Sequence, residues 1–502
     1  VPAFVLAHDL GTTGNKATLY DADGRLVSSA FSAYETRFAA HGWAEQDPNA
    51  WWAAVCTSTR TLVELANVQP ADVACITFSG QMMGAVAVDA HARPLRPAIL
   101  WADTRSQEQV AAVAKAIDPA AVYRITGHRL SPSYSLSKIL WIREHEPDVF
   151  RATHAFLHAK DAMIARMTGA FVTEPSDASG MNLFDLEAGV WSQDILSAAG
   201  LPVEKLPRIV RSTDIVGRVL PETADALGLL AGTPVVAGGG DGPCAGVGAG
   251  SVREDVVYCY LGSSSWIATA AARPIYDPEQ RTFTFGHVIP GLFMPTGTMQ
   301  AAGASYQWAR EQIGDGAGIR SFEQMNVLAE QSPPGANHLL YLPYLLGERS
   351  PRWNPDASGA FIGLTMRHTR ADLLRAVLEG VAFNLRVILN AFTRQGAQAT
   401  SVRVIGGGVT AHIWTQIMAD ILGVPLQRLT LIEEATSMGA AVTGGVGIGL
   451  YDSFAMADRM NPVEQSFHPD AACAGRYARL YEAFNAAYDQ LMPVYSMLSG
   501  DF

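Results

Sequence analysis

Short apolar runs of strand length alternate along this chain with longer stretches whose apolar positions recur every three to four residues. That alternation predicts an α/β protein. Strands are expected over Phe4–His8, Ala17–Tyr20, Ala74–Phe78, Gly84–Val88, Pro234–Ala237, Val256–Leu261, Ser265–Ala270, Leu339–Leu342 and Val402–Ile405. Helices are expected over Pro48–Glu64, Ser106–Ala116, Ser135–Glu144, Gly303–Gln312, Arg370–Arg394, His412–Leu422 and Arg476–Leu491. The pattern also echoes itself. Phe4–Tyr20 reads strand, Asp9-Leu-Gly-Thr-Thr-Gly14, strand, and Val256–Ala270 reads strand, Leu261-Gly-Ser-Ser-Ser265, strand. Two glycine/hydroxyl hairpins, one near the start of each half, fit duplicated domains facing a shared cleft. They also fit the plain liking of turns for Gly and Ser.

With 502 residues the chain exceeds a single hydrophobic core, so two large domains are expected. The boundary is placed in Gly246-Val-Gly-Ala-Gly250, giving domains over 1–250 and 251–465. A closing helical segment, 466–502, is expected to pack back on the first domain. At 49% hydrophobic and 17% charged, the composition is globular, and its longest apolar runs are strand-length, short of a membrane span. A formal net charge of −12 opposes broad contact with nucleic acid or anionic membrane but does not exclude ATP, whose phosphates are neutralised locally. The five cysteines (Cys56, Cys75, Cys244, Cys259, Cys473) are scattered with no CxxC pair. They fit reduced thiols, and with no basic, apolar leader at the N-terminus a cytoplasmic protein is expected.

Candidate chemistry gathers at two acids. Asp9 ends an apolar strand and meets Gly11, Thr12 and Thr13, so it is placed to hold a hydrated Mg²⁺ while the turn's N–H groups and hydroxyls hold phosphate oxygens. An ordinary hairpin accounts for the same residues. Asp241 follows the buried strand Pro234–Ala237 and Gly238-Gly-Gly240, just before Gly242-Pro243. It reads equally as an N-cap with proline in the first turn or as a general base at a strand's carboxyl end. Gly246-Val-Gly-Ala-Gly and Gly445-Val-Gly-Ile-Gly lack the strand–turn–helix context of a dinucleotide fingerprint, and Gly11-Thr-Thr-Gly-Asn-Lys16 lacks P-loop spacing. His154 and His158 fall in a segment that reads as strand, which argues for structural histidines rather than a metal pair.

The motifs Asp9-Leu-Gly-Thr-Thr-Gly, Gly42-Trp-Ala-Glu-Gln-Asp-Pro48, Trp101-Ala-Asp-Thr-Arg105 and Ser133-Tyr-Ser-Leu-Ser-Lys-Ile-Leu-Trp141 resemble those of the FGGY carbohydrate kinases. So do Gly238-Gly-Gly-Asp241, Leu342-Pro-Tyr-Leu-Leu-Gly-Glu-Arg-Ser-Pro351 and Gly359-Ala-Phe-Ile-Gly-Leu364 with Arg375-Ala-Val-Leu-Glu379. The set is collinear from residue 4 to about 480 and is most similar to the xylulokinase branch. The resemblance implies two ribonuclease-H-like domains of actin/hexokinase type flanking a catalytic cleft. It implies ATP and Mg²⁺ as cofactors, a small-molecule sugar or polyol as substrate, and room for a homodimer, with no nucleic-acid or membrane partner.

Residue by residue, the resemblance makes Asp241 the general base and Asp9 the acid that positions Mg²⁺, the two flanking the metal. Gly11, Thr12, Thr13 and Lys16 match the first phosphate turn, and Gly262 with Ser263 the second. Gly303 and Gln307 match positions near the nucleotide, Gly406 and Gly407 the glycines by the adenosine, and Gln81, Met82, Met83 and Trp101 the sugar-lining positions. Three residues depart from the branch: Met83 stands for a histidine, Gly242 for an asparagine and Ala411 for a small polar residue. The likeness to the branch implies D-xylulose as the leading acceptor, and the departures bring in glycerol, erythritol, gluconate or another pentulose as alternatives. A non-catalytic sugar or nucleotide sensor remains a separate reading.

Overall fold

The structure, a computed structural model, describes residues 3–39, 42–254, 256–314, 318–319 and 321–499. Two seven-stranded sheets organise it. In the first, the order is Ile215–Arg218, Pro234–Val236, Val73–Gly80, Phe4–Leu10, Gly14–Tyr20, Leu26–Ala33, with Gly239–Gly240 also paired to Val73–Gly80. In the second it is Phe283–Gly286, Phe293–Met299, Ser265–Thr269, Val257–Leu261, Val402–Ile405, Leu426–Leu429, Val463–Phe467.

Each sheet is centred on a hairpin strand flanked by its antiparallel partner on one side and a parallel strand on the other. Phe4–Leu10 lies between Gly14–Tyr20 and Val73–Gly80, and Val257–Leu261 between Ser265–Thr269 and Val402–Ile405. The faint repeat in the sequence is thus a duplicated topology, and the α/β expectation of two similar domains holds. Parallel strands buried on both faces read as continuous apolar runs, which is why Phe4–Leu10 and Val73–Gly80 stand out in the sequence.

The domains meet through two helices made of small residues. Helix Asp241–Gly248 follows the Gly238–Gly240 segment of the first domain, and helix Ala435–Gly447 crosses it. A Cβ on Gly248 would lie 1.8 Å from the Ala435 carbonyl oxygen, and one on Gly439 would lie 1.8 Å from that of Cys244. Backbone therefore touches backbone, and only glycine fits. The same helix reaches the first sheet, where a Cβ on Gly444 would lie 2.8 Å from Thr77 Cγ2. Four glycines in thirteen residues weaken helix propensity, and packing on two partners overrides it.

Three expectations need correction. The closing helix, Ala471–Leu498, does not pack on the first domain: it lies on the second, where Tyr477 Oη donates to Glu379 Oε1 at 2.8 Å and Arg352 bonds Asn485 Oδ1 at 2.6 Å. The buried row Tyr477, Leu480, Phe484 and Tyr488 joins the core of that domain, so the apolar face of the helix chose its docking site. The second sheet runs on to Phe467, two residues past the expected end. Among the described residues one helix, Arg370–Arg394, is by length and composition apolar enough to span a bilayer, beyond the strand-length that was expected of the longest apolar runs. It is mostly buried, with the Arg375–Glu379 ion pair on it at 2.7 Å.

Candidate active site

Both acids stand at the carboxyl ends of strands of the first sheet that flank Val73–Gly80. Asp9 pairs with Ser79, and Ser79 pairs in turn with Gly239. Two strand spacings separate Asp9 from Gly239, about 10 Å between Cα atoms, and Asp241 opens the helix two residues further on. Their side chains thus converge from the two sides of Val73–Gly80. Burial first of all raises each acid: Asp9 to about 6, with Ser79 and Lys16 pulling it down, and Asp241 to about 7, with the negative charge of Asp9 adding to the rise. The fold thus gives neither acid an ordinary aspartate pKa.

Asp9 Oδ1 is buried and has no hydrogen-bond partner among the described residues. A buried carboxylate oxygen left without a donor costs free energy. A hard divalent cation with its water shell satisfies such an oxygen, so the donor set fits the metal that the chemistry requires. Asp241 Oδ1 accepts the N–H of Gly242 at 2.7 Å, and the carbonyl of Gly242 is held by Tyr258 Oη of the second domain at 2.8 Å.

The first turn is braced from behind. The carbonyl of Gly11 accepts Tyr34 Oη at 2.5 Å, and the carbonyl of Thr12 accepts Gln46 Nε2 at 2.6 Å. Carbonyl and following N–H point opposite ways across a trans peptide, so the N–H groups of Thr12 and Thr13 face away from these braces. Trp101 Nε1 donates to Thr12 Oγ1 at 3.2 Å, which joins a position expected to line the sugar to the first turn. Gln81 is brought to the same place, yet its Nε2 goes to Gln46 Oε1 at 2.8 Å and Gly11 O at 3.5 Å, making it a brace of the turn. Lys16 spans the domains: Nζ donates to the Glu433 carbonyl at 3.0 Å and lies 3.7 Å from Glu434 Oε1, beside the start of helix Ala435–Gly447.

The second turn gathers the remaining nucleotide positions. The carbonyls of Gly262 and Ser263 accept the N–H groups of Gly303 and Ala304 at 2.9 and 3.0 Å, so helix Gly303–Ala309 starts against the turn. A Cβ on Gly303 would lie 2.5 Å from Gly262 O, and one on Gly406, at φ 91°, would lie 2.7 Å from Leu261 O. Gly407 faces open space. Gln307 is one helical turn beyond Gly303, with its amide bonded to Glu311. Gly262, Ser263, Gly303, Gly406 and Gly407 therefore converge on the end of strand Val257–Leu261.

Of the residues expected to line the sugar, Met82 packs on the Gly238–Gly240 turn, since a Cβ on Gly240 would lie 2.5 Å from its sulfur. Met83 has φ 65°, and its Cγ lies 3.2 Å from where a Cβ of Gly180 would stand. At Gly242 a Cβ would meet only Met294 Cε at 3.5 Å, an ordinary contact. Sequence reasoning gave no role to Gln46, Tyr34 and Tyr258, which act as braces; of the three, only Gln46 falls within a quoted motif, Gly42–Pro48. It also assigned no role to Glu348, which burial holds at about 8 and which accepts Gln300 N and Asn384 Nδ2 at 3.0 and 2.9 Å. His158 is a buried structural residue at the end of strand Ala155–Leu157, and His154 precedes that strand.

A duplicated α/β fold whose two glycine/hydroxyl turns flank paired acids at the joint defines the class of two-domain, actin- and hexokinase-type phosphotransferases. Within that class the chain belongs to the FGGY family of carbohydrate kinases: the family's N-terminal domain matches residues 4–248 and its C-terminal domain residues 257–448. The chain is 34% identical to the xylulose kinase of Bacillus subtilis (strain 168) over 97% of its own length and 96% of the relative's. It superposes on gluconate kinase from Lactobacillus acidophilus with a TM-score of 0.93 at 26% identity, covering 99% of each chain. Ligand-bound xylulose kinase from the same organism gives 0.93 at 25% identity, covering 99% of this chain and 100% of that one. The protein is a sugar kinase, with ATP as substrate and a divalent metal in its chemistry.

Proposed function

We propose that the protein transfers the γ-phosphoryl group of Mg-ATP to a hydroxyl of a ketopentose, D-xylulose first, with Asp241 as general base. The observation that carries this reading is the pair of acids at the ends of the two strands that flank Val73–Gly80, raised by burial and flanked by the two turns. Asp241 takes the proton of the attacking hydroxyl as it becomes acidic, and a pKa raised to about 7 makes it a stronger base than an ordinary aspartate. The N–H groups of Thr12 and Thr13 and the turn at Gly262 and Ser263 neutralise phosphate oxygens, which is most of what phosphoryl transfer asks of a protein. Asp9, with Asp241 beside it, would hold Mg²⁺, which would supply charge neutralisation on the phosphates. Gln81 and Trp101 fix the first turn, and Met82 and Met83 face the acceptor.

An aldonate acceptor is the second reading. The thioether of Met83 and the open space at Gly242 remove two hydrogen-bonding groups from the sugar side, and the likeness to a gluconate kinase is as high as that to a xylulose kinase. A coupled ADP-release assay with Mg-ATP across D-xylulose, other pentuloses, D-gluconate, glycerol and erythritol separates the readings. D-xylulose is expected to give the largest kcat/KM. A larger value for gluconate replaces the first reading with the second, and no acceptor-stimulated ADP release with any of them removes both. In the same assay, Gly242→Asn and Met83→His should raise D-xylulose relative to the other acceptors by about 1 to 2 kcal/mol of transition-state binding, roughly five- to thirtyfold, with ATP KM unchanged. An unchanged ranking places neither residue at the sugar.

A further inference from the structure

Behind the base lies a group of buried charges that phosphoryl transfer does not use. Lys160, on helix Ala159–Thr168, has no exposed surface. Its Nζ lies 2.5 Å from Asp161 Oδ1, 3.2 Å from Asp177 Oδ2 and 3.6 Å from Glu174 Oε1. Asp177 Oδ1 lies 2.6 Å from Nδ1 of His158. Burial disfavours a charge on Lys160, yet Asp161, Asp177 and Glu174 together keep its ammonium protonated. Taking five ionisable groups out of water is expensive, and apolar packing of the same volume is commonly as stable or more so. Stability alone does not account for such a cluster.

Two arms run from it to the site. Glu174 caps helix Pro175–Ser179 and accepts the hydroxyls of Ser176 at 2.6 Å and Ser212 at 2.7 Å. Ser176 Oγ then accepts the N–H of Gly240, the residue before Asp241, at 2.9 Å. The carbonyl of Ser212 accepts the N–H of Gly238 at 3.0 Å, so both ends of the Gly238–Gly240 segment hang from residues bonded to Glu174. In the other arm, His158 Nε2 lies 2.8 Å from Ser135 Oγ, which donates to the carbonyl of Gly84 at 2.6 Å and so closes the Met82–Met83 turn. A Cβ on Gly180 would lie 3.2 Å from both His158 Cε1 and Met83 Cγ, and one on Gly80 would lie 3.0 Å from Lys160 Cβ. The cluster is therefore in contact with the base turn and the sugar-lining turn at once.

We propose that this buried cluster is a truss that sets the base turn at a fixed place relative to the sugar-lining turn, and that Ser176, through its bond to Gly240, is the positioning residue for Asp241. The inference rests on Asp241 acting as the base. A carboxylate displaced by about an ångström loses much of the benefit of orientation while leaving the ground-state binding of either substrate almost untouched. The effect belongs in kcat.

The test uses the full chain, Mg-ATP, and whichever of D-xylulose and D-gluconate is turned over faster. Ser176→Ala, Ser176→Thr and Asp241→Asn are compared by kcat, ATP KM, sugar Kd from isothermal titration and thermal unfolding. Ser176→Ala is expected to lower kcat by about ten- to a hundredfold, with ATP KM and sugar Kd within about twofold of wild type. Ser176→Thr, which keeps the hydroxyl, should restore most of that rate. A kcat within about twofold of wild type in Ser176→Ala, or a threonine variant as slow as the alanine one, overturns the proposal. If Ser176→Ala does not fold, Ser212→Ala takes its place: a drop in kcat at constant KM supports the truss, and a wild-type kcat overturns it. An inactive Asp241→Asn beside an unaffected Ser176→Ala sinks the truss alone. Near-normal turnover in Asp241→Asn sinks the base assignment and the truss with it.

Discussion

At the scale of single residues, the site is governed by how burial treats two carboxyls. Burial first, and then each acid's charged surroundings, leave Asp9 at about 6 and Asp241 at about 7. A base must be deprotonated to act, so activity falls as pH drops through the raised pKa. The acid limb of kcat/KM for the sugar, which reports the free enzyme, is expected at an apparent pKa of about 6 to 7, a value belonging to the interacting pair. A limb near 4 in a pH–rate profile would mean that both carboxyls are hydrated as in ordinary aspartates. The residues themselves were legible, because Asp9, the turn glycines and Asp241 sit where strands end. Their partners were not. Gln81 bonds Gln46, 35 positions away, and Lys16 bonds Glu433, 417 positions away, and no local pattern carries such pairings.

At the scale of elements, the hairpins and the long apolar helix were readable from periodicity, and Arg370–Arg394 has the bounds its pattern gives. Helix Ala435–Gly447 was not readable, since its glycines speak for a loop and its true reason is the close crossing with Asp241–Gly248. That crossing makes a sharp prediction. Gly439→Ala places a Cβ 1.8 Å from the Cys244 carbonyl oxygen and should destabilise by at least about 1 to 3 kcal/mol through forced displacement of one helix. Gly475→Ala, in the exposed face of helix Ala471–Leu498 with nothing within 4 Å of its Cβ, should stabilise by up to about 1 kcal/mol. Thermal unfolding of the two variants side by side decides the matter, and equal shifts would remove the close crossing as the explanation. The closing helix teaches the converse lesson: its existence was plain from its apolar period, but which domain it covers depends on the Tyr477 and Asn485 contacts.

At the scale of the whole molecule, buried ionisable groups oppose one another. His8 and His128 are held down to about 3 and His287 to about 4, chiefly by burial. Each stabilises the fold above the unfolded value of about 6.5 and loses that contribution as pH falls from there. Asp9, Asp241 and Glu348, raised to about 6, 7 and 8, have the opposite sign and gain stability as pH falls toward the unfolded carboxyl values near 4. Three groups against three give an apparent Tm of the ligand-free protein that is nearly level from about pH 6.5 to 4.5 and drops steeply below about 4. A steady fall across the upper range in a calorimetric pH series would mean the carboxyls are not buried in the way described. The same two acids bind the account together, because they join the sheet of the first domain, the turn held by Tyr258 of the second and the chemistry between them. Its most direct test is the turnover of Asp241→Asn with Mg-ATP and the best acceptor, measured beside sugar binding by isothermal titration. A base at this position predicts a kcat at least about a hundredfold below wild type with sugar Kd preserved. A variant that turns over at nearly the wild-type rate would contradict it.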